Sequence, residues 1–497
     1  MTENVLLSVM SRVGRKMPES DEQEASSFVS FCRCFNQDKI VPPVDFGTFE
    51  EWLSGTSYGG PRKRALRDLR AKVSKLEEEY RKCQCFGKDE GYLEPKQLRP
   101  ICSLTDDYKA LLGQYVKKCD DTLFKLKYFV KHTNPRDWPE LLRSTFKDEN
   151  VMETDFSSFE SHHYGFRAVV VREWLQHSLQ NAPEWVRHFV GVLTGQVNTL
   201  RFKDVTCWVD ERLMSGALWT SSANGYLNLM LMSYIILKSK YPELSGAALY
   251  GKFAEFVGLI EGDDGLTVST SIDEKLIDKL GLKLKFEHHE RYHMASFCGV
   301  VCDPDESAIV ADPLKVLMNF FRLKHCYARS QKKVRMALYR AKALSYLCNY
   351  KNAPIIGPLA YEMCLKTKNL DARSAIDKLE ERHAGFARLA LSEKAYLDAP
   401  KITMKSRIVV ERHFGFSVQE QLSIEEAIQS HGEKLVVCLG GCPGRITEDH
   451  FRNAKNLMAF GDAPGADPSA FGRINSLLDA LTPSKTLQTK LEAHSVP

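Results

Sequence analysis

The chain has 497 residues, 43% hydrophobic and 27% charged, with 68 basic side chains against 64 acidic ones and a formal charge of +4. That length exceeds one compact core and predicts two or three subdomains. The composition excludes a disordered chain, and the near-balance of charge means that any nucleic-acid surface must be local.

In chain order, residues 1–36 read as a helical lead-in broken by a Ser/Glu-rich stretch at 19–27. The start "MTENVLLSVMSRVGRK" has too short an apolar run, and the wrong charge order, for a signal peptide. "SYGGPRKRALRDLRAKVSKLEEEYRK" is a Gly-Pro turn opening a long charged helix, basic at Arg62, Lys63, Arg64 and Arg67. A loop, a short strand around Arg99–Cys102 and a helix follow. "VMETDFSSFESHH" reads as a strand ending in a turn, then a helix over about 160–178. "SSANGYLNLMLMSYIILKSK" is a long amphipathic helix, followed by a hairpin over 252–269, a helix at 271–280 and strands near 282–287 and 296–302.

Residues 313–361 contain no acid and ten Lys/Arg, among them Arg329, Lys332, Lys333 and Arg335, with Phe320, Phe321, Tyr327, Tyr339 and Tyr346 interleaved. Surfaces normally mix both signs, so this span reads as a face for a phosphate backbone. The last 60 residues are loop-rich. Fourteen scattered cysteines read as reduced thiols in an intracellular protein; the C-x-C pairs Cys32/Cys34 and Cys83/Cys85 lack a zinc ligand set around them. No apolar run reaches the ~18 residues of a membrane span, and no repeat is visible.

"LIEGDDGLTV" places Asp263 and Asp264 at a hairpin tip between Gly262 and Gly265. Asp and Gly suit tight turns, so the tip alone could be an ordinary one. "TDFSSFE" adds Asp155 at a strand end and Glu160 in the turn after it. If the Asp155 strand lies beside the 257–262 strand, Asp155 and Asp263 converge and require a counter-charge, which Mg²⁺ supplies through hard oxygen ligands. Alternation along the strand turns Asp264 away, making it the weaker ligand. Between the acids, Ser215 and Gly216 precede a helix on which Thr220, Asn224 and Asn228 share one face. Asparagine is disfavoured inside helices, so two on one face suggest a use.

In order, "TDFSSFE", "SGALWTSSANGYLN", "EGDD" and "SFCGVV" resemble the conserved motifs A, B, C and E of RNA-dependent RNA polymerases of positive-strand RNA viruses, and look closest to the tombus-like and noda-like group. "KLGLKLKFEHHERY" resembles motif D, "PKQLRPI" motif F and "YGGPRKR" motif G, so the likeness spans about residues 58–302. It implies an α+β right-hand fold with an antiparallel palm sheet. The expected layout is a lead-in at 1–36, fingers at 37–150, a palm at 151–305 with a fingers insertion at about 173–210, a thumb at 306–435 and an extension at 436–497.

The resemblance also implies roles. Asp155, Asp263 and Asp264 would be catalytic metal ligands for Mg²⁺, with Mn²⁺ as the alternative. Glu160 and Asn224 would sense the ribose 2′-hydroxyl, Ser215 and Gly216 would form a flexible loop beside the template, and Thr220 would support nucleotide selection. Lys96 and Arg99 would hold the incoming triphosphate. Arg62, Lys63, Arg64, Arg329, Lys332, Lys333 and Arg335 would contact RNA. Lys283, Lys285, His288 or His289 would protonate the pyrophosphate, the two histidines lying in the turn after the strand. Two departures stand out: Glu160 is one methylene longer than the Asp many relatives use, and Ala217 replaces a frequent acid. The implied partners are template and product RNA, NTPs and, since no membrane span is visible, a membrane-anchoring partner at replication sites in the host cytoplasm. A reverse transcriptase or other palm-type polymerase, and a non-catalytic RNA-binding protein, are the competing readings.

Overall fold

The structure, a computed structural model, describes residues 2–73, 82–88, 98–194, 198–209, 211–269, 271–305 and 308–431. The basic helix ends at Lys72, short of the long helix expected; residues 74–81 of that expectation, Lys96 and the extension at 436–497 lie outside the described residues. The chain mixes helices with three sheets, as an α+β reading requires. Its strands are β1 (Lys82–Gly87), β2 (Pro100–Leu104), β3 (Val151–Phe156), β4 (Asn198–Arg201), β5 (Thr206–Val209), β6 (Gly258–Glu261), β7 (Asp264–Val268), β8 (Leu284–His289), β9 (Ser296–Phe297), β10 (Val300–Asp303) and β11 (Ala308–Ala311). They form sheets of order β2-β1-β4-β5, β6-β7-β3-β8 and β11-β10-β9.

The middle sheet is antiparallel throughout and positions the site. The ladder of β6 and β7 closes at Glu261 opposite Asp264, so the two turn residues are Gly262 and Asp263. Gly262 has φ +63°, whereas Asp263 keeps a negative φ, the glycine-first pattern of a type II′ hairpin. One face of the sheet (Met152, Phe156, Ile260) packs into a core running from Leu6 to Leu282. The other face (Val151, Leu259, Leu266) packs on Trp138, Phe146 and Phe297. A further core joins Val301 to Ile428. With both faces covered, the sheet is a rigid platform whose upper end carries the acids.

The helix Thr220–Lys240 lies against β6 and β7. It is buried nearly all round, not amphipathic as expected, and serves as the central helix of the main core. Other expectations also shift. The break in the lead-in falls at 14–21, earlier than the expected 19–27, because Asp21 accepts from the Glu24 N–H at 2.8 Å and caps a helix over Glu22–Lys39. The helix expected from 160 begins at Phe166, since left-handed Ser158 (φ +57°) and Gly165 (φ +58°) first turn the chain through one 3₁₀ turn, Phe159–His162. The 296–302 strand is two strands, β9 and β10, folded at Cys298 and Gly299, both with positive φ.

The described cysteines are free thiols. Cys83, Cys102 and Cys207 are buried in the first sheet; burial pushes the Cys83 and Cys207 thiols up, and a hydrogen bond with Cys85 pushes up Cys102. They behave as small core residues. No helix among the described residues is long and apolar enough to cross a membrane.

Candidate active site

The strand beside β3 is β7, not the 257–262 strand that was expected to pair with it. Thr154 faces Gly265, so one further step of the same register sets Asp155 against Asp264. Asp264 is therefore the cross-strand neighbour of Asp155, and Asp263 occupies the tip. Asp155 is exposed and the other two are half-buried. Burial, then the charge of Asp263 and of Asp155, raises the Asp264 carboxyl to about 7. Burial is also the main cause raising Asp263; Glu160 and Asp155 add to it, while the Arg99 guanidinium opposes it. Arg99 thus reaches the acidic turn electrostatically, although some 160 residues separate the two.

These groups suit a divalent cation. They are hard oxygen donors whose mutual repulsion favours protonation, and a cation would relieve that cost. Among the described residues no three His, Cys, Asp or Glu side chains already close around one point, so the carboxylates neighbour one another without forming a cage.

Asn228 holds the turn from below. Its Nδ2 donates to the carbonyls of Gly262 (3.1 Å) and Asp264 (3.2 Å), and the residue is fully buried. Both neighbours are acceptors, so the amide orientation is dictated by its partners. One turn earlier, Asn224 Oδ1 meets His163 Nε2 at 2.9 Å. Burial pushes the His163 pKa down to about 3, so the ring is neutral and donates from Nε2. Thr220 Oγ1 donates to the carbonyls of Met214 and Ala217, tying the Ser-Gly loop to the start of the central helix.

The Ser215–Gly216 loop is docked on β2, whereas a flexible loop was expected. Ser215 Oγ donates to the Pro100 carbonyl at 2.8 Å and accepts the Cys102 N–H at 3.2 Å; Gly216 N donates to the Cys102 carbonyl at 3.1 Å. A Cβ at Gly216 would lie 2.7 Å from Ser103 Cα, so only glycine allows this approach. The loop is thereby linked to the strand that directly follows Arg99.

Of the proton-donor candidates, Lys285 stands directly opposite Asp155. Lys283 is held through its backbone: its N–H donates to His162 Nε2 at 3.0 Å and its carbonyl accepts from Ser157. His288 and His289 are not in a turn, because β8 continues through both. His289 pairs with Val151, about 13 Å along the strand from Asp155. Its Nε2 lies 3.5 Å from Glu153 Oε2.

The basic residues divide. Arg62 pairs with Asp106 and lies over the Tyr58 ring, and Lys63 donates to the Ser54 carbonyl. Arg335 donates to the Ser330 carbonyl. Arg64, Arg329, Lys332 and Lys333 are exposed. Within the acid-free span, Arg340 is buried against the Cys364 carbonyl and Lys342 donates to the Asn319 and Arg322 carbonyls, so that span is not one continuous basic face.

Sequence reasoning missed several supports. Glu160 is not bonded to Asn224; Arg12 Nε donates to its Oε1 at 2.8 Å. Arg167 is buried and donates to the carbonyls of His162 and Leu280, fastening the turn after β3 to the chain entering β8. The His-His of "ESHH" was the visible signal, but its partners are distant in sequence.

Residues 131–353, a little under half of the chain, match the family model described as viral RNA-dependent RNA polymerase. No curated protein matches the chain. The matched stretch contains β3, the central helix, the acidic hairpin and β8. The match over residues 131–353 supports a viral RNA-dependent RNA polymerase, an RNA-directed nucleotidyltransferase of a kind that binds NTPs and an RNA template.

Proposed function

We propose that the chain copies viral RNA by attack of a primer 3′-hydroxyl on the α-phosphate of an NTP, with pyrophosphate leaving, and that it is of the tombus-like and noda-like kind. The observation that carries this reading is the meeting of Asp155, Asp263 and Asp264 at one end of an antiparallel sheet, with Arg99 in electrostatic reach of Asp263. In a right-hand layout, that sheet is the palm, residues 37–150 with about 173–210 are fingers, and 306–435 are the thumb.

Enzymes of this family work with divalent metals; here two Mg²⁺ held by Asp155, Asp263 and Asp264 would activate the hydroxyl and stabilise the leaving group. The protein's own residues do the rest by placement. Arg99 offers a bidentate fork to the triphosphate. Glu160 and Asn224 accept or donate at the ribose 2′-hydroxyl, with His163 fixing the Asn224 amide. Asn228 holds the turn, and Lys285, across from Asp155, is the proton donor best placed by the register. Exposed Arg64, Arg329, Lys332 and Lys333 meet RNA phosphates. We place the activity in the host cytoplasm at membranes, through an anchoring partner. Co-sedimentation with membranes only when other viral proteins are present is the expected result.

Primer extension on an RNA template with Mg²⁺ is the test. Asp263→Asn should abolish extension with NTPs while leaving the fold intact, and Lys285→Ala should slow extension by about a hundredfold or more. Equal extension by Asp263→Asn would refute the catalytic reading, and preferential use of dNTPs would favour a reverse transcriptase.

A further inference from the structure

The first helix of the lead-in ends in a short π-helix, Val9–Val13, whose Val9, Met10 and Val13 are buried in the main core. This anchoring delivers Arg12 to Glu160, 148 residues later in the chain. Nε lies 2.8 Å from Oε1 and Nη2 lies 3.4 Å from Oε2. Two further bonds hold the same two segments together, Ser158 Oγ donating to the Ser11 carbonyl and Arg15 Nη1 to the Ser157 carbonyl, while Arg212 Nη2 ties the Arg15 carbonyl to the segment before the Ser-Gly loop. The lead-in is thus a brace on the turn after β3; Arg12 meets Glu160 with a planar fork, and the Arg15 guanidinium nearby feels the Glu160 charge without a hydrogen bond to it.

We propose that Arg12 is a positioning residue for sugar selection, fixing the Glu160 carboxylate so that it meets the ribose 2′-hydroxyl of the incoming NTP. This rests on the reading of Glu160 as a ribose contact. The physical need follows from the side chain: glutamate has one more rotatable bond than the aspartate used by many relatives, and an unpinned carboxylate would sample several positions. A carboxylate has about four acceptor directions, so the fork from Arg12 leaves room for a hydroxyl donor. Pinning also keeps the Glu160 charge at a fixed distance from Asp263, which already feels it.

The experiment compares kcat/KM for ATP and 2′-deoxyATP on a poly-U template with an RNA primer, using the full chain. The variants are Arg12→Ala, Arg12→Lys, Glu160→Ala and the double substitution, each checked by thermal melting. The expected result is that Arg12→Ala lowers the ATP/2′-deoxyATP preference about tenfold or more, that of one lost charge-assisted contact. Arg12→Lys, which keeps the charge but not the fork, should lose less. The double substitution should match Glu160→Ala, because the two residues act as a unit. If Glu160→Ala loses the preference while Arg12→Ala slows both substrates equally, Arg12 is only structural and the proposal fails. If Glu160→Ala keeps the preference, the ribose reading of Glu160 fails first and the role of Arg12 falls with it.

Discussion

The side chain of Asn228 makes a sharp test of how the acidic turn is held. It donates to two carbonyls, Gly262 and Asp264, that flank Asp263 on both sides, and no part of the residue is exposed. Replacing it by Ala removes two hydrogen bonds worth about 1 kcal/mol each, about 2 kcal/mol together. That energy acts on the turn, since both bonds end there. A cost of about 2 kcal/mol spent on turn geometry corresponds to a roughly thirtyfold fall in the metal-ready population, within the range seen for outer-shell partners of metal ligands. Asn228→Asp should be worse: its oxygens would face two carbonyl oxygens and add a charge to a site already crowded with acids. The assay is the Mg²⁺ concentration giving half-maximal primer extension, together with calorimetric Mg²⁺ binding and a melting curve. In Asn228→Ala, half-saturation should move up by about tenfold or more. If it stays within about twofold while the melting temperature falls, Asn228 is an ordinary core residue and the reasoning about the turn is wrong.

Two further outcomes are expected. Gly216→Ala should push the Ser-Gly loop off β2, because its Cβ would meet Ser103 Cα at 2.7 Å and the Cys102 carbonyl at 2.8 Å; denaturant melts should show a loss of about 1–3 kcal/mol and extension assays a raised KM for template, and unchanged values in both would refute the close approach. His163, held neutral by burial with a pKa of about 3, makes the folded state refuse a proton that the unfolded chain accepts below its ordinary value. Its contribution is complete above about pH 6.5 and is lost as pH falls from there towards 3, at about 1.4 kcal/mol per pH unit. Stability measured at about pH 7.5 and 5.5 should fall less for His163→Gln than for wild type, and equal falls would mean that the ring is protonated or solvated in the fold.

Much of the site was legible in local chemistry. Gly262 beside Asp263 announced a tight hairpin, and the run from Thr220 to Lys240 announced a long helix. What could not be read were the long-range pairings. Nothing near Asp155 says that its strand lies against β7 and not β6, and that choice makes Asp264 its neighbour. His288 and His289 looked like turn residues because they are polar; only their pairing with Met152 and Val151 keeps them in a strand. Arg12 and Glu160 are each unremarkable locally, and their ion pair exists because buried Val9, Met10 and Val13 fix the lead-in against the core. The basic span at 313–361 is divided by packing that composition could not show: Arg340 and Lys342 bond to backbone carbonyls, while Arg329, Lys332 and Lys333 stay exposed.

The central helix also sets where this chain can tolerate changes in length. Thr220 ties down the Ser-Gly loop at one end, Asn224 meets His163 one turn on, and Asn228 grips the acidic turn after another. All three sit on one rod, so a tilt of the helix carries them together and their spacing survives. A single inserted residue between Thr220 and Asn228 would advance everything beyond it by about 1.5 Å and swing it by about 100° around the axis, parting the loop from the turn in one step. The connections before Gly216 and after Val268 carry no such gauge. Length variation belongs there, and the nine residues from Thr220 to Asn228 act as a fixed ruler between the Ser-Gly loop and the acidic turn.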